Sequence, residues 1–339
     1  MSEPRVHAFS DDALGEHDAV ALAALVASGE RSPRELADAA IARTETLDSV
    51  LHATAYRSYD SPRFAMQAGS ALFGVPSFVK DNTDVQGMPT NHGTEAFQAR
   101  AAKRDGGYTQ QYLSTGLTVL GKTRLPEFGF NASTEFAAQE PVHNPWHRAY
   151  SVGASSGGSA ALVAAGAVPI AHANDGGGSI RIPAACAGLV GLKPSRGRHV
   201  DGEQARHLPI NMISEGVLTR TVRDTAAFFA GCEDFYRNPA LPPVGLVTGP
   251  AQRRLRVGLI LDSVTDSAVD AQTRDAVLRT AMLLESAGHV VEPIELPVTR
   301  QFADDFLQYW GLLATLAAAT GRFTFDRSFD AGKLDGLSQ

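Results

Sequence analysis

Apolar positions recur at helical spacing close to the start of the chain. Leu36, Ala40 and Leu47 follow Ser32-Pro33-Arg34-Glu35, a capping box with proline at the first helical position, which predicts a helix over about 33–46. The stretch Val20 to Ala27 reads as a second, shorter helix stopping at Gly29. From Leu72 the period changes: Phe73-Gly74-Val75-Pro76-Ser77-Phe78-Val79 predicts a short strand with Lys80 at its end, and a glycine- and proline-punctuated loop follows to about Gly93. A helix is expected around Gln110 to Ser114 and a buried strand over Leu117 to Leu120.

Further on, strands are expected over 256–261 and 290–296. They flank a helix over about 272–287 that carries Val277, Leu278, Met282 and Leu284 on its apolar side. Such alternation predicts an α/β layered fold with a largely buried sheet. The proline-rich stretch 230–254 reads as a surface connection within one domain spanning 1–339.

Composition narrows the function classes. Of 339 residues 44% are hydrophobic and 20% charged, values of an ordinary globular chain with a large core. A net charge of −7 without a basic stripe excludes a nucleic-acid surface. Residues 1–10 contain Glu3 and Arg5 but no apolar run of the secretory kind, and no stretch reads as a membrane span. With two cysteines, Cys186 and Cys232, neither a disulfide framework nor a four-cysteine metal site is available, and a reducing cytoplasm is expected.

Two motif hits fail for want of context. Gly116-Leu117-Thr118-Val119-Leu120-Gly121-Lys122-Thr123 matches a phosphate loop by letter, but its intervening residues favour a strand and Arg124-Leu125-Pro126 follows it instead of a helix. Gly153-Ala154-Ser155-Ser156-Gly157 matches the nucleophile elbow of α/β-hydrolases, with His172, His199, His207 or His289 as candidate bases. The polar, proline-broken 143–150 is, however, a poor strand to lead into it. His143 and His147 have metal-like spacing, which Pro145 keeps off a common helical face, so no metal is expected. Cys186, in an Ala-Ala-Cys-Ala run, is expected to be a buried packing residue.

The dense Gly/Ser/Ala segment 151–197 carries the strongest signal. Ser151-Val152-Gly153-Ala154-Ser155-Ser156-Gly157-Gly158-Ser159 is followed by Asn174-Asp175-Gly176-Gly177-Gly178-Ser179-Ile180-Arg181-Ile182-Pro183 and by Gly191-Leu192-Lys193-Pro194. In this order, with Gly74-Val75-Pro76 and Lys80-Asp81-Asn82 before them and Thr219 to Asp224 after, these motifs resemble the amidase signature family, and particularly its bacterial members that include 6-aminohexanoate cyclic dimer hydrolase.

That resemblance implies the amidase signature fold, a central mixed β-sheet covered by helices on both faces. It also implies a triad of Lys80, Ser155 and Ser179. Ser179 would attack an amide carbonyl, Ser155 would bridge, and Lys80 would act as base once burial had lowered its pKa from about 10.4. Further implications are a cis Ala154-Ser155 bond, oxyanion donors from the backbone of Gly176, Gly177 and Gly178, and Asp175 and Arg181 holding the loop by charge-assisted hydrogen bonds. Ser156 is expected as a support or as a helix cap. No cofactor is required, the expected partner is a small-molecule amide, and a homo-oligomer is compatible with the sequence.

Three alternatives stay open at this point. One is the amidase subunit of a tRNA-dependent amidotransferase, and another is a Ser-His-Asp hydrolase with Ser155 as nucleophile. The third is an inactive, shortened member, since the family normally continues past Gly332 to Gln339.

Overall fold

The computed structural model describes residues 4–265 and 267–336, and the side chains of Arg206 and His207 are outside that description. The ordered elements run α1 (Ala19–Ala27), α2 (Pro33–Leu51), β1 (Thr54–Arg57), β2 (Pro76–Lys80), α3 (Gly107–Ser114), β3 (Thr118–Thr123), α4 (Gly157–Ala164) and β4 (Ile170–Asp175). They continue with α5 (Arg181–Ala187), β5 (Val190–Gly191), β6 (Ser214–Thr219), α6 (Val222–Phe235), β7 (Arg256–Leu259), α7 (Ala271–Ser286), β8 (Val290–Pro293) and α8 (Arg300–Thr324).

The capping box at Ser32 is formed in full, and α2 runs five residues beyond the expected end, to a left-handed cap at His52. Lys80 is the last residue of β2, as expected, and Gly116 to Thr123 feeds β3, which is followed by a short 3-10 turn at Glu127–Gly129, not by an α-helix. The phosphate-loop hit is therefore a strand.

The sheet is mixed, as expected of the fold, but its ladders are interrupted. β1, β3 and β2 form one three-stranded sheet, with β1 antiparallel and β2 parallel to β3. β4, β6 and β5 form another, entirely antiparallel. β2 lies alongside β4, where side chains replace ladder bonds: Ser77 Oγ donates to Ile170 O at 2.8 Å and the Lys80 N–H to His172 Nδ1 at 3.1 Å. Helices α2 and α4 pack on β2 and β3, α4 also on β4, and α6 on β6. The main hydrophobic core runs through these contacts, from Leu22, Leu36 and Leu51 to Phe78, Leu162, Ile170, Leu218 and Phe228.

The chain forms two compact units, 4–247 with 316–336, and 248–315. The division falls inside the proline-rich stretch, whose first residues belong to α6 and not to a connection as expected. In the smaller unit β7 and β8 pair in parallel. The helix expected there forms as α7, but its apolar residues Val277, Leu278 and Met282 are exposed and only Ala281 is buried. Helical periodicity dictates the element without supplying what covers it.

Candidate active site

Lys80 emerges from β2 into the core and is fully buried. Its Nζ donates to Ser155 Oγ at 2.6 Å and to Asn174 Oδ1 at 2.7 Å. Among the described residues no carboxylate touches it. Burial disfavours the ammonium and lowers its pKa to about 7, against a partial upward pull from Glu215 and Asp175.

Ser155 lies between a cis Ala154-Ser155 peptide and the start of α4, with its hydroxyl aimed at the lysine. Next to it, the N-terminus of α4 approaches the end of β3 closely. The Gly158 N–H donates to Arg124 O at 3.1 Å, and a Cβ on Gly158 would sit 2.5 Å from Ala53 O and 2.7 Å from Arg124 N. Ser156 precedes α4 but makes no capping bond. Its buried hydroxyl turns to Asn174 O at 3.4 Å, so the capping role is corrected to a tie between the two serine-bearing segments.

Asp175 ends β4 and organises the loop that carries Ser179. Its carboxylate accepts the N–H groups of Gly178 at 2.8 Å and Ile180 at 3.2 Å, and pairs bidentately with Arg181 at 2.9 Å on each oxygen. Lys193 Nζ lies 3.7 Å from Oδ1. Burial alone would raise the Asp175 pKa, but the Arg181 bonds and the Lys193 charge outweigh it and hold the group down at about 2. Gly178 has φ +125°, and a Cβ there would meet Ile182 Cδ1 at 2.6 Å.

This arrangement corrects one expected donor. The Gly178 N–H is engaged by Asp175, so it does not point at a substrate. Among the described residues the N–H groups of Gly176, Gly177 and Ser179 have no protein acceptor. Ser179 is nearly buried, 9% exposed, and among the described residues no hydrogen bond joins its hydroxyl to Ser155 or Lys80. Of the three expected residues, Lys80 and Ser155 are joined directly, and Ser179 lies on the loop anchored by Asp175.

The histidines expected to serve an elbow serine are engaged elsewhere. His172 accepts from the Lys80 N–H through Nδ1, and its Nε2 lies 2.9 Å from Glu215 Oε2. His199 Nδ1 pairs with Glu215 O at 2.9 Å, and His289 Nδ1 accepts from the Leu255 N–H at 3.1 Å. His207's side chain is outside the described residues. Cys186 is exposed, which corrects its expected packing role, because α5 presents it away from the core that Ala184 and Ala187 enter. Among the described residues no three His, Cys, Asp or Glu side chains are grouped to hold a metal, and no helix is long and apolar enough to cross a membrane.

Comparison with known proteins decides the family. The family model described as Amidase matches residues 35–333. The chain belongs to the amidase signature family. AmiC of Mycobacterium bovis, named as an amidase, is 53% identical over 339 residues, which cover 98% of this chain and 72% of that protein. The 6-aminohexanoate-cyclic-dimer hydrolase of a Pseudomonas species is 35% identical, covering 86% of this chain and 62% of the hydrolase. Among solved structures, a bacterial aryl acylamidase of the amidase signature enzymes superposes with a TM-score of 0.81 at 28% identity, over 95% of this chain and 71% of that one. This amidase is accordingly an amide-hydrolysing enzyme.

Of the residues that surround Lys80, Glu215 was not singled out by sequence reasoning, His172 was considered only as a base for an elbow serine, and Asn174 only as part of a motif. The available signal was the presence of a histidine, an asparagine and a glutamate inside two strands that are otherwise buried throughout.

Proposed function

We propose that the chain hydrolyses a small carboxylic amide through an acyl-enzyme on Ser179, with Ser155 as bridge and Lys80 as base. The observation that carries this reading is the buried amine of Lys80, 2.6 Å from the Ser155 hydroxyl and, among the described residues, out of contact with any carboxylate. A lysine can take a proton near neutral pH only when desolvation has weakened its ammonium, and here burial supplies that condition.

In the first half-reaction Ser179 Oγ attacks the carbonyl carbon while its proton passes to Ser155 and that of Ser155 to Lys80 Nζ. The tetrahedral oxyanion faces the unengaged N–H groups of the Gly176 to Ser179 turn. Collapse breaks the C–N bond, and the proton returns along Ser155 to the leaving nitrogen. Water then repeats the sequence on the ester, releasing the acid and restoring Ser179. The amides named for the relatives, a cyclic aminohexanoate dimer and an aryl acylamide, support a small uncharged amide as substrate class. Two unpaired cysteines suit a reducing cytoplasm.

The test is labelling of the purified protein by a fluorophosphonate, with the modified residue located by peptide mass analysis. Labelling of Ser179, lost in Lys80→Ala, is expected. Labelling confined to Ser155, or none in a folded protein, would overturn the reading.

A further inference from the structure

The hydrogen bonds around Lys80 close into a ring. Its backbone N–H donates to His172 Nδ1 at 3.1 Å, which assigns the ring proton to Nε2, and that nitrogen lies 2.9 Å from Glu215 Oε2. The other carboxylate oxygen, Oε1, accepts from Asn174 Nδ2 at 3.5 Å, and Asn174 Oδ1 receives the Lys80 ammonium at 2.7 Å. The ring starts at the backbone of one residue and returns to its side chain. It converges on Glu215, a carboxylate only 4% exposed. Pairing of β4 with β6 sets Asn174 opposite Glu215 in register, so the ladder itself builds the contact.

We propose that Glu215 is a positioning residue for Lys80, acting through Asn174 and His172 to hold the amine on Ser155 while keeping its own negative charge one amide away. This deepens the triad reading and rests on it. A carboxylate touching the ammonium would keep the lysine protonated and useless as a base, whereas a core with no anion at all would drive its basicity down. The intervening carboxamide sets a middle course. It offers an oxygen to the lysine and passes only an attenuated field from the glutamate. The titratable and charged groups around Lys80 are Glu215 on β6, Asp175 and His172 on β4, and Lys122 on β3, which is itself paired with Asp81 at 3.4 Å. Asn82 Nδ2 adds a second donor to Asn174 Oδ1 at 3.3 Å and steadies that oxygen. Glu215 is an upward influence on the lysine, and burial lowers the His172 pKa from its ordinary value, in keeping with the assigned tautomer.

The experiment follows the rate of fluorophosphonate labelling of Ser179 against pH in the full chain, its Glu215→Gln variant and its Asn174→Asp variant. Loss of the distant charge in Glu215→Gln is expected to move the acid limb down by about one pH unit. Asn174→Asp, which places a carboxylate on the ammonium, is expected to move it up by about one to three units and to recover its rate in alkali. Variants that label slowly at every pH with an unmoved limb would overturn the proposal, leaving Glu215 and Asn174 as structural groups only. Should the parent itself label without an acid limb, or Lys80→Ala label normally, the triad reading fails first and this inference with it. An unmoved limb in the variants alone leaves the triad standing.

Discussion

At the scale of single residues, the proposed mechanism makes the lysine decide when the site works. Its folded pKa is lowered to about 7, so the neutral amine needed to accept a proton becomes populated as pH rises through that value. The rate of amide hydrolysis at limiting substrate should therefore climb tenfold per pH unit below the limb and level off above it, as a pH series of kcat/KM would read. A profile flat from pH 5 to 9 would be incompatible with Lys80 as base. Lys80, Ser155 and Ser179 could be nominated from the sequence because glycine-rich turns and a strand-end lysine leave local marks. Asn174 and Glu215 could not be read this way, because their meaning arises only when β4 and β6 pair 41 residues apart. The engagement of Gly178 by Asp175 was hidden for a related reason: three consecutive glycines look equivalent until a carboxylate selects one of them.

At the scale of elements, the site depends on backbone proximity more than on side-chain bulk. α4 begins where it does because Gly158 lets its first turn sit against the backbone of Ala53 and Arg124, next to the Ser155 hydroxyl that meets Lys80 at the end of β2. Both neighbours are backbone atoms that cannot swing aside. Gly158→Ala should cost ~3 kcal/mol of stability by overpacking, seen as a lower urea midpoint, and should also slow Ser179 labelling. A variant as stable as the parent would mean that the helix can retreat without harm. The capped α2, the strand-end position of Lys80 and the strand nature of 118–123 were readable from caps, prolines and alternation. β4 and β6 were not read as strands, since Ile170 to Asp175 and Ser214 to Thr219 are short and carry polar residues inward.

At the scale of the molecule, the α/β class followed from alternating patterns, while the two compact units and the exposed apolar side of α7 did not, since neither leaves a periodic signature. The buried lysine also bears on the stability of the whole fold. Between pH 10.5 and about 7 an unfolded chain takes up a proton at Lys80 that the folded chain excludes, so falling pH favours unfolding across that window, and below it both states carry the proton and the effect is constant. Replacing the base by an apolar residue removes this linkage. The unfolding free energy of Lys80→Met relative to the parent should rise as pH falls through the window, by up to ~5 kcal/mol, in urea titrations run at its two ends. A difference that does not vary with pH would contradict the lowered lysine. The residue proposed to start the reaction is thus also a built-in weakness of the fold at neutral pH, and a variant selected for thermal endurance alone would discard it.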